Sequence, residues 1–84
     1  MNIDIKVLGP GCSNCQKVEA VARSAVTQMG MEAHVDEITD RAAFARYGLL
    51  FTPGLVINEK LVCAGRIPTV AEVSTWLVNA DMAN

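Results

Sequence analysis

The spacing of apolar and polar positions changes several times along the chain, and each change marks an element. Over residues 2–8 they alternate, with Ile3, Ile5 and Val7 on one side and Asp4, Lys6 and Leu8 on the other, which predicts a strand. Gly9-Pro10-Gly11 ends it, since proline lacks a ladder donor and glycine tolerates turn geometry. From Ser13 to Met29 the period lengthens. Val18, Ala22, Ala25, Val26 and Met29 recur at helical spacing, Lys17, Glu19, Arg23 and Gln28 face outward, and Gly30 supplies a stop. Met31, Ala33 and Val35 then alternate with Glu32, His34 and Asp36, predicting a second strand that reaches Ile38. Thr39 or Asp40 can cap a short helix over 41–47, with Ala43, Phe44 and Tyr47 inward and Gly48 at its end. Leu55-Val56-Ile57 and Leu61-Val62-Cys63 flank Asn58-Glu59-Lys60 as a hairpin, although its turn lacks the stronger Asn-Gly signal. Thr69-Val70-Ala71-Glu72 reads as a capping box opening a last helix, whose core stripe is Val70, Val73, Leu77 and Ala80. The order βαβαββα predicts an α/β fold, a central four-stranded mixed sheet flanked by three helices. Its first two strands should be parallel through a right-handed crossover.

Composition narrows the class. Eighty-four residues suit one domain over 1–84, and 51% apolar with 19% charged residues describes a packed globule. Seven basic and nine acidic residues give a net charge of −2 and are scattered, so neither nucleic acid nor an anionic membrane is an expected partner. The start has no basic segment leading into an apolar one, and no apolar run approaches a membrane span, so a cytoplasmic location is expected.

Three cysteines are too few for a secreted disulfide scaffold. Cys12 and Cys15 are spaced C-x-x-C between the first strand and the first helix, which in a reducing compartment means redox chemistry or metal binding. A thiol must ionise before it attacks a disulfide, and the unpaired amides at a helix start favour an anion. Cys12 falls at that edge. Cys15, about one helical turn further in, can reach the same sulfur and is better shielded. Cys12 is therefore the expected attacking thiol and Cys15 the resolving one.

The chain resembles the thioredoxin/glutaredoxin superfamily, above all its very small thioredoxin-like redox-active disulfide proteins. The match runs through Gly9-Pro10-Gly11-Cys12-Ser13-Asn14-Cys15, then Tyr47-Gly48-Leu49-Leu50-Phe51-Thr52-Pro53, then Gly65-Arg66-Ile67-Pro68, in the family's order. The resemblance implies a minimal thioredoxin fold and a redox-active Cys12–Cys15 disulfide. It also implies a cis Pro53 beside the cysteines and substrate binding at Thr52 and Pro53, with Thr52 offering backbone hydrogen bonds. There are departures. Gly11 stands where thioredoxin has an aromatic residue, Ser13-Asn14 where it has Gly-Pro, and Lys6 where it has a buried acid. The full glutathione clamp of glutaredoxins is missing.

The expected function is thiol–disulfide oxidoreduction or small dithiol electron carriage by a monomer. It would act on a protein or small-molecule disulfide, take electrons from an unidentified reductase, and need no cofactor or resident metal. The alternative is a soft-metal or metalloid carrier that uses Cys12 and Cys15 as thiolate ligands, as in copper(I) chaperones; those run βαββαβ, which the order here disfavours. Elsewhere the plain readings prevail. Cys63 reads as a small hydrophobe in the last strand, His34 as a solvent-facing strand position, Trp76 as packing, and Lys6 as surface before active-site neighbour.

Overall fold

The computed structural model describes residues 3–11 and 13–82. Strand β1 (Ile3–Leu8) lies inside the sheet with both faces covered, so its alternation sends side chains into two separate cores. Helix α1 (Ser13–Met29) returns the chain to β2 (Ala33–Ile38), which pairs parallel with β1 from Ile3↔Ala33 to Leu8↔Ile38. Helix α2 (Arg41–Arg46) leads to β3 (Gly54–Ile57), antiparallel to β1 on its other side, and β4 (Lys60–Ala64) follows as an edge strand. Helix α3 (Val70–Met82) closes the order. The sheet order β2-β1-β3-β4, with three helices, is the mixed α/β architecture that the pattern predicts, and it matches the minimal thioredoxin fold that the resemblance implies.

Ile3, Ile5 and Val7 meet Val18, Ala22 and Ala25 of α1, Leu55 and Ile57 of β3, and Val73 and Leu77 of α3. Burying each larger aliphatic side chain is worth about 1.5–3 kcal/mol, which makes this face the main source of cohesion. On the opposite face Leu8, Val56 and Leu49 pack with Phe44 and Tyr47 from the α2 end. Trp76 and Val70 pack at the margin of the larger core, and His34 is exposed beside Asp36, Nε2 to Oδ2 2.9 Å, as their positions in the pattern suggest.

Boundaries differ in instructive ways. Asn2 lies outside the described residues. The Met31 amide donates to the Val26 carbonyl (3.2 Å), which holds Met31 in the helix exit and delays β2 to Ala33. Asp40, not Thr39, caps α2: its carboxylate accepts from the Ala42 amide at 3.0 Å. Tyr47 ends that helix as its cap. The hairpin turn is Asn58-Glu59 alone, both with positive φ (49° and 69°), so Lys60 belongs to the strand. Such a two-residue turn suits glycine at its second position. Glutamate stands there because its carboxylate is used. It accepts from Lys6 Nζ at 2.7 Å and from the Tyr47 hydroxyl, while Lys6 also reaches Tyr47 Oη at 3.1 Å and Asp4 at 3.3 Å. Glu59 first, then Tyr47, holds the Lys6 ammonium above its usual range. Lys6 thus does not point freely into solvent; it is clamped on the sheet face opposite Cys15.

The capping box forms as the pattern predicts. The Thr69 amide donates to Glu72 Oε1 (3.0 Å) and the Glu72 amide to Thr69 Oγ1 (3.1 Å). Arg66 adds a two-pronged grip on the same carboxylate, at 3.0 and 2.7 Å. The Arg66 pairing, followed by the Thr69 amide, lowers the Glu72 carboxyl from 4.5 to about 2. A depressed carboxyl stabilises the fold above its unfolded pKa, and that contribution disappears as the pH falls through the folded value. In urea titrations Glu72→Gln should therefore unfold earlier than the parent at neutral pH, the gap narrowing from about pH 5 downward and closing near pH 2. Equal midpoints at neutral pH would show that the cap contributes nothing.

Candidate active site

The end of β1 carries the site because two neighbouring strands deliver other segments to it. Leu8 pairs with Ile38 on one side and Gly54 on the other, which sets Gly9 beside residue 53. The Gly9 amide donates to the Ile38 carbonyl at 3.0 Å, keeping the backbone in line before the turn at Gly11, whose φ is +84°. The first turn of α1 then brings Cys15 back under the strand end.

Cys15 is fully buried in the larger core. A Cβ added at Gly9 would overlap the Cys15 Sγ and would lie 3.9 Å from the Pro53 Cα. Gly9, Cys15 and Pro53 therefore converge on one small volume. Gly9 is buried and its φ is unremarkable, so glycine is required there for space and not for a turn. The Thr52–Pro53 peptide bond is cis; Pro53 is buried and Thr52 exposed. The Pro53 carbonyl accepts from the Gly65 amide at 2.8 Å, which ties this segment to the end of β4. Cys12 lies outside the described residues. Its neighbours Gly11 and Ser13 are exposed, and the Glu37 carboxylate lies 3.8 Å from where a Cβ on Gly11 would sit.

The chain is similar to known proteins. A family model described as the thioredoxin domain matches residues 3–78. A thioredoxin from Methanothermobacter thermautotrophicus is 35% identical over 73 residues, which cover 87% of this chain and 95% of that protein. A thioredoxin from Methanocaldococcus jannaschii is 30% identical, covering 87% of this chain and 84% of its own. The chain belongs to the thioredoxin family. At the level of fold alone, the crystal structure of the germline-specific thioredoxin Deadhead from Drosophila melanogaster superposes with a TM-score of 0.65 at 13% identity, covering 93% of this chain and 80% of that one. Thioredoxin membership brings thiol–disulfide oxidoreduction or electron carriage as the general activity, and nothing in these relatives favours a metal carrier. No helix among the described residues is long and apolar enough to cross a membrane.

Of the candidate residues, the structure brings Cys15 and Pro53 together, with Thr52 exposed beside them; Gly9, read from the sequence as a turn residue, and Leu49, given no role there, are the additions. Leu49 is buried beneath Gly54, where a Cβ would come within 2.5 Å of its Cδ1. The available signal was glycine where the strand pattern asks for a side chain, at residue 9 and again at 54. Cys63 stands apart. It is buried in β4 with its Sγ 3.7 Å from the Arg66 carbonyl, and burial pushes its thiol up.

Gly9→Ala should cost about 1–3 kcal/mol of stability through overpacking. In a reduced Cys15→Ala background most of that cost should vanish, because the nearest remaining atom is then the Cys15 Cβ at 3.5 Å, an ordinary contact. A double-mutant cycle on urea unfolding measures the coupling, and additive costs would show that sulfur is not what residue 9 avoids.

Proposed function

We propose that Cys12 and Cys15 are the redox pair of a thioredoxin-like oxidoreductase acting in the cytoplasm as a single-domain monomer. The Cys12 thiolate attacks one sulfur of a substrate disulfide, forming a Cys12–substrate disulfide and releasing the other substrate sulfur as a thiolate. Cys15 then loses its proton and attacks Cys12 Sγ. The Cys12–Cys15 disulfide forms as the second substrate thiolate leaves. Two electrons pass from the dithiol to the substrate, and an unidentified reductase returns them. Substrates are protein or small-molecule disulfides, and Thr52 and Pro53 line the approach.

What carries this reading is the burial of Cys15 against Gly9 and Pro53 in a thioredoxin-family chain. A resolving thiol has to be hidden from bulk disulfides and still lie one helical turn from its partner. The first turn of α1 contains no acidic residue, so nothing on the helix itself opposes a thiolate at its start.

Cys15→Ser should accumulate covalent partners through Cys12, while Cys12→Ser should trap almost none, because only the first variant keeps the attacking thiol and lacks the resolving one. Non-reducing electrophoresis after exposure to disulfide-bonded protein, with metal content measured on the same samples, reads both. Absence of trapped species from both variants, with stoichiometric soft metal in the parent, would replace exchange by metal carriage.

A further inference from the structure

Beside Thr52 the surface dips into a depression of about 350 Å³, lined by Pro10, Phe44, Leu49 and Thr52 and carrying the cation Arg41. The chain has four arginines, and three are accounted for. Arg23 pairs with Glu19 (3.0 Å), Arg66 with Glu72 (2.7 Å), and Arg46 lies over the Tyr47 ring (5.6 Å). Arg41 is exposed and meets no carboxylate within ion-pairing distance among the described residues. Asp40, next in the chain, has its carboxylate turned onto the Ala42 amide. Leu50 and Phe51, which directly precede Thr52 in the chain, are 85% and 70% exposed. An apolar depression with one unanswered positive charge, touching the segment beside the buried thiol, has the chemistry of a recognition surface.

We infer that this depression docks a protein segment in which an acidic side chain accompanies an apolar one next to the target disulfide, the carboxylate meeting Arg41 and the apolar group meeting Phe44 and Leu49. The inference rests on the exchange reading and adds the substrate class to it. The overall charge of −2 works in the opposite direction, favouring cationic partners, so a preference for acidic ones would have to arise locally at Arg41. An exposed ion pair of this kind is worth about threefold in rate constant and is screened by salt.

Two synthetic peptides test this, each closed by one disulfide with a leucine beside the cysteine and differing only in Glu or Lys at the following position. Reduction is followed by thiol release with dithiothreitol as donor, corrected for direct reduction, and neutral hydroxyethyl disulfide serves as a third substrate for the parent. The parent should show kcat/KM about threefold higher for the Glu peptide at about 0.05 M salt, with the difference disappearing at about 0.5 M. Arg41→Glu should invert the preference, and Arg41→Gln should abolish it, each checked for folding by circular dichroism. Equal parental rates on the two peptides, with hydroxyethyl disulfide reduced, overturn the docking inference alone. So does a preference that survives both Arg41 variants. If Arg41→Glu splits a dimer of the parent and leaves the peptide preference untouched, the depression serves a second copy and the inference is again overturned. Failure of the parent on all three substrates removes the exchange reading, and the docking inference with it.

Discussion

The sulfur of Cys15 occupies the space that any side chain at residue 9 would need, and the architecture of the site follows from that one steric fact. It requires bare backbone at the end of β1 and the first turn of α1 folded tightly beneath it. Residue 53 must arrive on the far side. The strand pairings meet the last of these conditions, since Leu8↔Ile38 and Leu8↔Gly54 fix where Gly9 lies relative to β2 and β3. Register is therefore a functional quantity here. A slip of one residue would exchange Ile3, Ile5 and Val7 for Asp4, Lys6 and Leu8 in the larger core and remove Gly9 from the thiol. The burial that stabilises the sheet is the same burial that aims the site.

Most of the fold was legible because period and parity are local properties. The 3.6-residue stripe of Val18, Ala22 and Ala25, the alternation of Ile3, Ile5 and Val7, and the Thr69–Glu72 box each required only neighbouring residues, and each is present. What escaped were features that depend on distant partners. The turn at Asn58-Glu59 has no glycine signal because Glu59 answers to Lys6, more than fifty residues earlier in the chain. Lys6 posed the same difficulty from the other end. Strand parity placed it opposite the core that holds Cys15, but only Tyr47 and Glu59 together decide that it is clamped and not loose in solvent. In the site, Cys15 and the Thr52-Pro53 pair stood out by motif. Gly9 was read as a turn residue, because nothing nearby reveals that a sulfur will be pressed against it.

That clamp bears on the site through the chain it anchors. Tyr47 begins the segment that carries Thr52 and Pro53, and its hydroxyl is held to Glu59 and Lys6. Two residues on, the Leu49 amide donates to the Phe44 carbonyl at 2.8 Å while its side chain fills the space above Gly54. Pro53 is fixed in turn by Gly65. The approach to the site is thus pinned at three points by contacts from α2, the β3–β4 hairpin and the end of β4. Substrate recognition of the kind expected at Thr52 depends on such a framework, because positioning side chains that are themselves ordered lose little further freedom on binding.

The same pinning explains why Leu50 and Phe51 face solvent. With Leu49 committed to the smaller core and Pro53 to the thiol, the two apolar residues closest to Thr52 on its N-terminal side have no core left to enter, although polar residues would suit an open surface at no cost to the fold. Phe51 finds a partial neighbour in Gly65, where a Cβ would come within 3.1 Å of its own Cβ, but its ring stays open. Apolar surface left in water forgoes about 25 cal/mol per Å² until something covers it. Solvent-facing leucine and phenylalanine directly before Thr52 are therefore surface whose covering by another molecule would be favourable. Arg41, across the depression, is the group that could choose among such chains by charge.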